Sequence, residues 1–305
     1  MTKKIILIAG PTASGKSKLA LNIAKKINGE IINADSMQVY KEFNILSSRP
    51  NNQELKKIKH HLYGFISVKD YFSTGEWLKL VKRKIISLSK KNKIPILVGG
   101  TGLYFNAITK GISQIPEIDL KTRNFVRNLH KKIGQKKFYN KLINIDSLAI
   151  NKVSPSDVQR TIRTYEVKLA TKISLYEWAK STKSEFSDYN IKNFFLDIPR
   201  DILLKNIYSR TENMFKNDCI REVENFLFLN VNKSLSANKL IGVKEIALYL
   251  RGISTLDKSK ELINIKTRQY AKRQNTWARG HMKIWKKYYH KDSAVLAKKI
   301  LKVIS

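Results

Sequence analysis

The stretch of sequence that decides the fold is Gly10-Pro11-Thr12-Ala13-Ser14-Gly15-Lys16-Ser17. It satisfies the pattern G-x-x-x-x-G-K-[ST], in which glycines let successive backbone amides point inward at a cluster of anionic oxygens. It also has the required setting, because the apolar run Lys3–Ala9 before it is typical of a buried strand and Ser17–Ile27 after it has helical spacing. The sequence therefore predicts a strand, a phosphate-binding loop and a helix, the opening unit of a parallel α/β sheet.

The same loop predicts a class of ligand. The following helix would present its positive N-terminal dipole to an anion, Lys16 would add a point charge, and the Ser17 hydroxyl would ligate magnesium. A ligand with a diphosphate group is expected along the whole segment Gly10–Ser17. The alternative is a glycine-rich turn without a ligand. The pattern is an ATP-binding motif in many proteins, but it does not specify which phosphate chemistry takes place.

Further strand patterns favour an open α/β sheet. Ile31–Ala34 is apolar and ends at Asp35, and Ile94–Val98 ends abruptly at Gly99-Gly100-Thr101-Gly102. Between them a helix is predicted from Thr74, whose hydroxyl is suited to capping, because apolar residues recur after it at helical spacing. We therefore predict a parallel sheet flanked by helices, similar to that of P-loop nucleoside triphosphatases.

The sequence changes character near Pro116, where lysine-rich segments with helical spacing and no strand pattern begin. Strand character returns at Asn193–Ile198. These changes predict an α/β core of residues 1–115 and 193–305, interrupted by an all-helical insertion subdomain at 116–192. The helices predicted in the insertion are Leu120–Lys132 and Asp157–Thr171, and those that complete the core are Asp201–Asn217, Glu222–Leu229 and Lys258–Lys287.

The charge of the chain points to a polyanionic partner. Its 305 residues include 59 Lys and Arg against 24 Asp and Glu, a formal net charge of +35. RNA is the physical interpretation, and the alternative is codon bias in an A/T-rich genome, which would enrich lysine. Arginine, whose planar group forks onto phosphates, recurs in Gln159–Arg163 and Arg268–Arg279, and this placement favours RNA.

Cysteine content and hydropathy indicate the cellular setting. The single cysteine, Cys219, has no partner for an internal disulfide, and the five histidines form no zinc-binding spacing with it. No apolar run approaches the roughly 20 residues of a membrane-spanning helix. The first residues lead directly into the phosphate-binding loop rather than into a cleavage site. We expect a cytoplasmic protein without membrane association.

Two strand ends indicate a reaction other than ATP hydrolysis. After Ile94–Val98, where a nucleoside triphosphatase often carries a metal-binding aspartate, this chain has Gly99-Gly100. The carboxylate near the phosphates would instead be Asp35, at the carboxyl end of the neighbouring predicted strand. Asp35 is therefore a candidate general base. The alternatives are an aspartate that contacts magnesium through water and one that caps a helix.

Several segments together resemble one family, the tRNA dimethylallyltransferases, also called tRNA isopentenyltransferases. The loop GPTASGKS has the form found in this family, Asp35–Tyr40 (DSMQVY) resembles its D-S-x-Q-[VL]-Y segment, and Val98–Tyr104 (VGGTGLY) resembles its second loop. The resemblance extends in order and spacing over almost the whole chain. It continues through Pro155–Arg163, Ile241–Glu245 and Thr267–Gln274 with Trp277.

The resemblance implies that the loop holds the diphosphate of dimethylallyl diphosphate, with magnesium, rather than ATP. The target would be the adenosine immediately 3′ of the anticodon in tRNAs reading codons that start with U. This base would flip out of the anticodon loop, its exocyclic amine would attack the allylic carbon, and diphosphate would leave. The expected partners are the tRNA anticodon stem-loop and dimethylallyl diphosphate, and a monomeric enzyme is expected.

The resemblance also implies roles for individual residues. Asp35 would be the general base with Thr101 bonded nearby, while Lys16, Ser17 with its magnesium and Arg210 would stabilise the departing diphosphate. Contacts to RNA phosphates would position the substrate, and the base pocket would specify it. The residues implied in tRNA binding are Asp35, Ser36, Met37, Gln38, Thr101, Arg123, Gln159, Arg160, Thr161, Ile162 and Arg163.

Four positions depart from the family pattern. Leu46 and Arg49 replace the glycine and the lysine of its I-G-T-A-K-P segment, Ser154 replaces a histidine, and Asn206 replaces an arginine one helical turn before Arg210. None of these is an assigned catalytic residue. Because Asn206 is uncharged, part of the positive charge beside the diphosphate is expected to be missing or to come from elsewhere.

Three other functions fit parts of the sequence. A P-loop kinase would transfer phosphate from ATP to a small metabolite, a related prenyltransferase would act on free adenine nucleotides to make cytokinins, and an RNA-binding protein would have lost catalysis. The basic insertion and Gln159–Arg163 favour RNA over a small molecule. The presence of Asp35, Lys16, Thr101 and Arg210 favours an active enzyme.

Overall fold

A computed structural model of the chain describes residues 3–304. It divides into two compact units: the larger holds the residues up to Ala107 and from Asp188 onward, and the smaller is Ile108–Ser187. The insertion expected from the sequence, 116–192, overlaps the smaller unit but lies further toward the C-terminus. Within the described residues no helix combines the length and the apolar character that crossing a bilayer requires.

The described part of the larger unit is built on a six-stranded sheet with the strand order β3-β2-β4-β1-β5-β6. Each neighbouring pair of strands is parallel. The prediction of an α/β fold with a P-loop type parallel sheet flanked by helices is therefore confirmed. The strands are β1 Lys4–Ala9, β2 Gly29–Asn33, β3 His60–His61, β4 Ile94–Gly99, β5 Asn190–Leu196 and β6 Lys286–Tyr288.

Helices of the larger unit connect its strands and cover the sheet, as parallel strands require. They are numbered along the chain through both units. The helices are α1 Lys16–Ala24, α2 Asn52–Lys57, α3 Thr74–Lys90, α4 Gly102–Thr109, α5 Leu120–Ile145, α6 Val158–Thr171, α7 Leu175–Lys180, α8 Arg200–Lys216, α9 Cys219–Phe228, α10 Val243–Leu250, α11 Leu256–His281 and α12 Ser293–Ile304.

Burial on both faces explains the apolar sequence of β1, one of the two central strands. Ile5–Ile8 are fully buried. Ile6 and Ile8 share a cluster with residues of α1 such as Leu19 and Ile23. A strand covered on both sides has no polar face, so its sequence is a continuous apolar run. The loop that follows β1 is thereby held at the carboxyl edge of a rigid sheet.

The last predicted helix is shorter than expected. The sequence predicted one helix over Lys258–Lys287, but α11 ends at His281 and β6 follows, pairing with β5. Trp285 precedes this pairing and is buried, with its ring edge-on to Phe105 at 5.4 Å between centroids. Helical spacing failed here because strand pairing depends on a partner distant in sequence, which a local pattern does not reveal.

The cap of α3 also differs from the prediction. The helix does begin at Thr74, but the capping residue is Ser73. The Ser73 hydroxyl accepts a hydrogen bond from the Glu76 amide (3.2 Å), and the Glu76 carboxylate accepts one from the Ser73 amide (2.7 Å). This reciprocal pair is a capping box, which needs a glutamate three residues after the cap. Glu76 has that spacing from Ser73 and not from Thr74.

The smaller unit, residues 108–187, has helices as its regular secondary structure and has its own core. It contains α5, α6 and α7, and α5 is bent at Gly134, where φ is 76°. Asp157 caps α6 by accepting a hydrogen bond from the Arg160 amide (3.0 Å). The buried side chains that form the core are Val126, Phe138, Leu142, Ala149, Val153 and Tyr165.

Gly99 is required where β4 ends. A Cβ at this position would lie 1.9 Å from the Ala34 carbonyl oxygen, so Gly99→Ala should lower the free energy of unfolding by about 3 kcal/mol, as overpacking does. Gly280→Ala is the control, because its Cβ would meet nothing within 4 Å, and in a helix it should gain about 1 kcal/mol. Urea unfolding measures both. Wild-type stability of Gly99→Ala would contradict the close approach of these two strand ends.

Candidate active site

The phosphate-binding loop forms the turn from β1 into α1. The Pro11 carbonyl closes the loop by accepting hydrogen bonds from the Ser14 amide (3.3 Å) and from Lys16 Nζ (3.2 Å). The Ser14 hydroxyl is buried and has no hydrogen-bond partner. The first amides of α1 have no acceptor within the helix, and the helix dipole is positive at this end. The segment Gly10–Ser17 therefore offers donors and positive potential to an anion.

Two cationic side chains are held beside this loop. Arg210, on α8, donates from Nη1 to Thr12 Oγ1 (2.7 Å) and from Nη2 to the Leu46 carbonyl (3.4 Å). Desolvation lowers the pKa of Lys16 from 10.5 to about 8; the charge of Asp35 opposes this shift and that of Arg210 adds to it. Desolvation also lowers the pKa of Arg210. A bound anion would offset the cost of keeping both groups charged.

Asp35 follows β2, and its neighbours fix its position. The fully buried Asn33 side chain accepts from the Asp35 amide (2.8 Å) and donates to the carbonyls of Asp35 (2.9 Å) and Leu62 (3.0 Å). The Trp77 indole donates to the Asn33 carbonyl (2.9 Å). The Asp35 carboxylate accepts from the Met37 amide (3.0 Å) in a local turn. No helix begins there in the described chain, so the structure does not support the helix-capping alternative.

Thr101 joins the loops that follow β2 and β4. Its hydroxyl accepts from the Ser36 amide (2.9 Å) and donates to Ser36 Oγ (3.3 Å), and its own amide donates to the Ala34 carbonyl (3.2 Å). Because β2, β4 and β1 are successive parallel strands, their carboxyl ends meet at one edge of the sheet. The predicted catalytic residues found at this edge are Lys16, Asp35, Thr101 and Arg210.

Sequence reasoning missed the contribution of Gln274 on α11. Its side-chain oxygen accepts from the Thr12 amide (2.8 Å), and its side-chain nitrogen donates to the Gly100 carbonyl (2.9 Å). A Cβ on Gly100 would lie 2.2 Å from that nitrogen. One amide group thus ties the phosphate-binding loop to the loop after β4. The available signal was its place at the end of Thr267–Gln274, a segment that resembled a family motif.

A cavity of about 210 Å³ adjoins these loops. It is larger than the roughly 150 Å³ apolar cavity that admits benzene. Its walls are mostly apolar, with several aromatic rings, so it suits a small hydrocarbon group held next to the anion site. The lining includes Gly10, Ser36, Gly100, Thr101, Phe105, Tyr270, Arg273, Gln274 and Trp277.

A family model described as IPP transferase matches residues 38–281. The chain belongs to the IPP transferase family. It is 57% identical over 282 residues to the tRNA dimethylallyltransferase of Pelagibacter ubique, covering 92% of this chain and 90% of that one. The tRNA isopentenylpyrophosphate transferase from Bacillus halodurans matches 99% of this chain and 95% of its own, with TM-score 0.70 and 29% identity. A eukaryotic dimethylallyltransferase acting on tRNA matches 91% and 70%, with TM-score 0.78 and 26% identity.

Two departures from the IPP transferase pattern have a structural explanation. Asn206 Nδ2 donates to the Ala13 carbonyl (3.1 Å), so the residue that replaces an arginine contacts the phosphate-binding loop without adding charge. Leu46 is buried, and a Cβ on Gly242 would lie 2.7 Å from its Cδ2. Leu46 therefore fills space beside Gly242, the N-cap of α10, rather than disturbing the loop.

The residues assigned to RNA in the larger unit lie at the sheet edge. Ser36 and Met37 hydrogen-bond with Thr101 and Asp35 through their amides. Gln38 Nε2 donates to two successive carbonyls, those of Ser47 and Ser48, at 2.9 Å each. The side chain of Gln38 thus holds a neighbouring loop in place.

The other assigned residues lie in the smaller unit. Gln159 and Arg160 are exposed at the start of α6, whereas Thr161 is buried and its hydroxyl donates to the Asp157 carbonyl (2.7 Å). Arg160 lies 3.7 Å from the Asp157 carboxylate, and Arg163 lies 3.8 Å from that of Glu166. Ile162 packs against the small core, and Arg123 is partly buried on α5. Arg160 is therefore the exposed cation at the start of α6.

The lowered pKa of Lys16, about 8, predicts the pH dependence of diphosphate binding. Lys16 is charged below this pH and loses its proton above it, so affinity for dimethylallyl diphosphate should fall as the pH rises through about 8. Calorimetry between about pH 7 and pH 9.5 should also show proton uptake on binding at the upper end. The terminal phosphate ionises near pH 6, below this range.

Lys16→Gln should bind more weakly and lose this pH dependence. The neighbouring exposed residue provides the control, since Lys18→Gln removes the same charge outside the loop and should keep the wild-type profile. A wild-type affinity that stays constant up to about pH 9.5 would show that Lys16 is not desolvated in the way described.

Proposed function

We propose that this IPP transferase moves a dimethylallyl group from dimethylallyl diphosphate to the exocyclic amine of the adenosine immediately 3′ of the anticodon. Its substrates are tRNAs that read codons starting with U, and diphosphate is released. The observation that carries the proposal is the placement of charge at the sheet edge. Lys16 and Arg210 flank the phosphate-binding loop, while the carboxylate belongs to Asp35 after β2 and β4 ends in glycine.

The leaving group would occupy the phosphate-binding loop. As the allylic C–O bond breaks, negative charge develops on the diphosphate, and donors already in place stabilise it without reorganising. Lys16, Arg210 and the loop amides are such donors, and the buried Ser14 hydroxyl is a further one. A cation pair of this kind would lower the barrier by favouring the departing anion over the intact ester.

The donor set fits a magnesium ion that arrives with the diphosphate. Residues 3–304 contain no group of three or more His, Cys, Asp or Glu side chains arranged to hold a metal ion. Magnesium commonly keeps several waters and binds through few protein ligands plus phosphate oxygens. The exposed Ser17 hydroxyl at the start of α1 would supply one oxygen. Magnesium there would neutralise diphosphate charge.

The nucleophile would be the exocyclic amine of the target adenosine. The adenosine amine forms a bond to the allylic carbon, the C–O bond to diphosphate breaks, and the amine proton passes to the Asp35 carboxylate. The Asn33 contacts and the Met37 amide orient that carboxylate. Ser36 holds the Thr101 hydroxyl, which would lie near the Asp35 carboxylate during the reaction.

The RNA would be held through its phosphates and loop shape. The net charge of +35 supplies a long-range attraction, and exposed cations of the smaller unit such as Arg160 supply local contacts. A base in a single-stranded loop unstacks cheaply and can enter a pocket. A tRNA substrate would place the enzyme in the cytoplasm, and a monomeric enzyme stays a prediction.

Removing the general base should stop chemistry and spare binding. Asp35→Asn keeps an oxygen for the Met37 amide but removes the basic carboxylate, so single-turnover prenylation should fall by about 10²- to 10⁴-fold with the Kd for tRNA unchanged. The exposed Asp70→Asn variant is the control and should react at the wild-type rate. A rate for Asp35→Asn within twofold of wild type would remove Asp35 from the mechanism.

The molecule that accepts the prenyl group distinguishes the proposed reaction from the alternative reactions. With labelled dimethylallyl diphosphate, label should appear on an unmodified tRNA and be absent from AMP. Label on AMP alone would identify the cytokinin-type reaction, and phosphate transfer from ATP to a small metabolite would identify a kinase.

Arg160 should affect affinity rather than chemistry. Arg160→Ala should weaken tRNA binding and reduce the slope of log K against log salt by about 1, because one phosphate contact and its released counterion are lost. Arg83→Ala, which removes an exposed arginine from α3, should leave both quantities unchanged. Weaker diphosphate binding with an unchanged salt slope would assign Arg160 to the wrong substrate.

A further inference from the structure

Outside the proposed active site, a carboxylate holds the loop Asn44–Ser48, which carries Leu46 and is named the 44–48 loop. Glu222, on α9, accepts hydrogen bonds from three successive loop amides: Oε1 from Asn44 (2.6 Å) and Ile45 (2.7 Å), and Oε2 from Leu46 (2.9 Å). Hydrogen bonds to an ionised acceptor are short and roughly twice as strong as neutral ones. The amide side of the loop is therefore fixed by one charge.

Both partners of this contact are anchored. Asp218 caps α9 by accepting from the Arg221 amide (3.4 Å), so Glu222 lies in the first turn of the helix. One turn later Phe226 is buried and packs against Phe43, with ring centroids 4.8 Å apart. The helix and the chain entering the loop thus share a core. The carboxylate keeps its position relative to the loop.

The carbonyl side of the 44–48 loop faces the diphosphate-binding residues. The Leu46 carbonyl accepts from Arg210 Nη2 (3.4 Å), and Gln38 holds the last two carbonyls of the loop (2.9 Å each). The other terminal nitrogen of Arg210 donates to Thr12 in the phosphate-binding loop (2.7 Å). Leu46 therefore contacts Glu222 through its amide and Arg210 through its carbonyl.

We propose that Glu222 is a positioning residue of the prenyl transfer, which sets the guanidinium of Arg210 through the 44–48 loop. This inference rests on the proposed function, in which Arg210 stabilises the departing diphosphate. Glu222 contacts neither substrate in this arrangement. Its carboxylate gathers three amides, which turns the loop carbonyls toward Arg210 and Gln38 and leaves the guanidinium aimed at the phosphate-binding loop.

To hold the three loop amides, the side chain at position 222 must be a charged acceptor with two oxygens. In Glu222→Gln one oxygen becomes an NH₂ group, which is a donor and faces the Leu46 amide, also a donor. The loop then loses at least one bond and the charge that draws the other two. A shift of the Leu46 carbonyl would move Arg210, and small misplacements of catalytic groups cost up to about 100-fold in rate.

The experiment is a double-mutant cycle of Glu222→Gln and Arg210→Ala in the full chain. Glu224→Gln is the matched control, because it removes the same charge from an exposed site on the same helix. Two quantities are measured for each variant: the single-turnover rate with tRNA at saturating dimethylallyl diphosphate, and the Kd for inorganic diphosphate with magnesium. Thermal unfolding and the Kd for tRNA report any general damage.

Glu222→Gln should react about 10- to 100-fold more slowly and bind inorganic diphosphate more weakly, with the Kd for tRNA unchanged. In the Arg210→Ala background the same substitution should have no further effect on either quantity. Additive losses, or a Glu222→Gln variant that behaves like Glu224→Gln, would overturn the proposal. If Glu222→Gln does not fold, Glu222→Asp, which keeps the charge but shortens the reach, must show the same coupling.

The diphosphate measurement keeps this inference distinct from the proposed function. A wild-type chain that does not prenylate tRNA would refute the proposed function, whereas the Kd cycle would still test whether Glu222 acts through Arg210. Prenylation with an additive cycle would refute only the positioning role.

Discussion

Lys16 and Arg210 are both desolvated beside the phosphate-binding loop. Keeping two positive charges there costs free energy, and the arrangement of the site follows from this constraint. Burial lowers the pKa of both side chains, and the charge of Arg210 lowers that of Lys16 further. The charge of Asp35 opposes these shifts but does not cancel them. An anion bound beside the loop would favour the charged forms of both side chains and offset their desolvation. In the proposed reaction that anion is the diphosphate.

The backbone explains why the carboxylate belongs to β2 and not to β4. Gly99 approaches Ala34 so closely that a Cβ would collide with its carbonyl oxygen, and Gly100 is covered by Gln274. A side chain at Gly99 therefore has no space, and one at Gly100 would displace the Gln274 amide. Asp35 follows the neighbouring strand β2, where the Asn33 side chain holds its backbone. In the proposed reaction this carboxylate would act as a base for the nucleophile, rather than as a metal ligand for ATP hydrolysis.

Features that depend on local sequence were predictable, and features that depend on distant partners were not. Glycine spacing predicts the phosphate-binding loop, and apolar runs predict β1 and the other buried strands. The edge strand β6 was predicted as helix, because its pairing partner β5 is remote in sequence. Gln274 and Glu222 stabilise loops more than 170 residues away in sequence. The motif-like segment Thr267–Gln274 marked Gln274 as a residue of interest but did not reveal its partners, and no local pattern marked Glu222. Their contribution became visible only when the segments were placed together.

The reaction proposed for this site is prenyl transfer to tRNA, with diphosphate leaving beside the half-buried Lys16 and Arg210. Nucleoside analysis of tRNA from cells that lack this gene tests it most directly. The prenylated adenosine next to the anticodon should be absent from tRNAs that read codons starting with U, and it should return when the wild-type gene is restored. An unchanged content of prenylated adenosine in the deletion strain would contradict the claim.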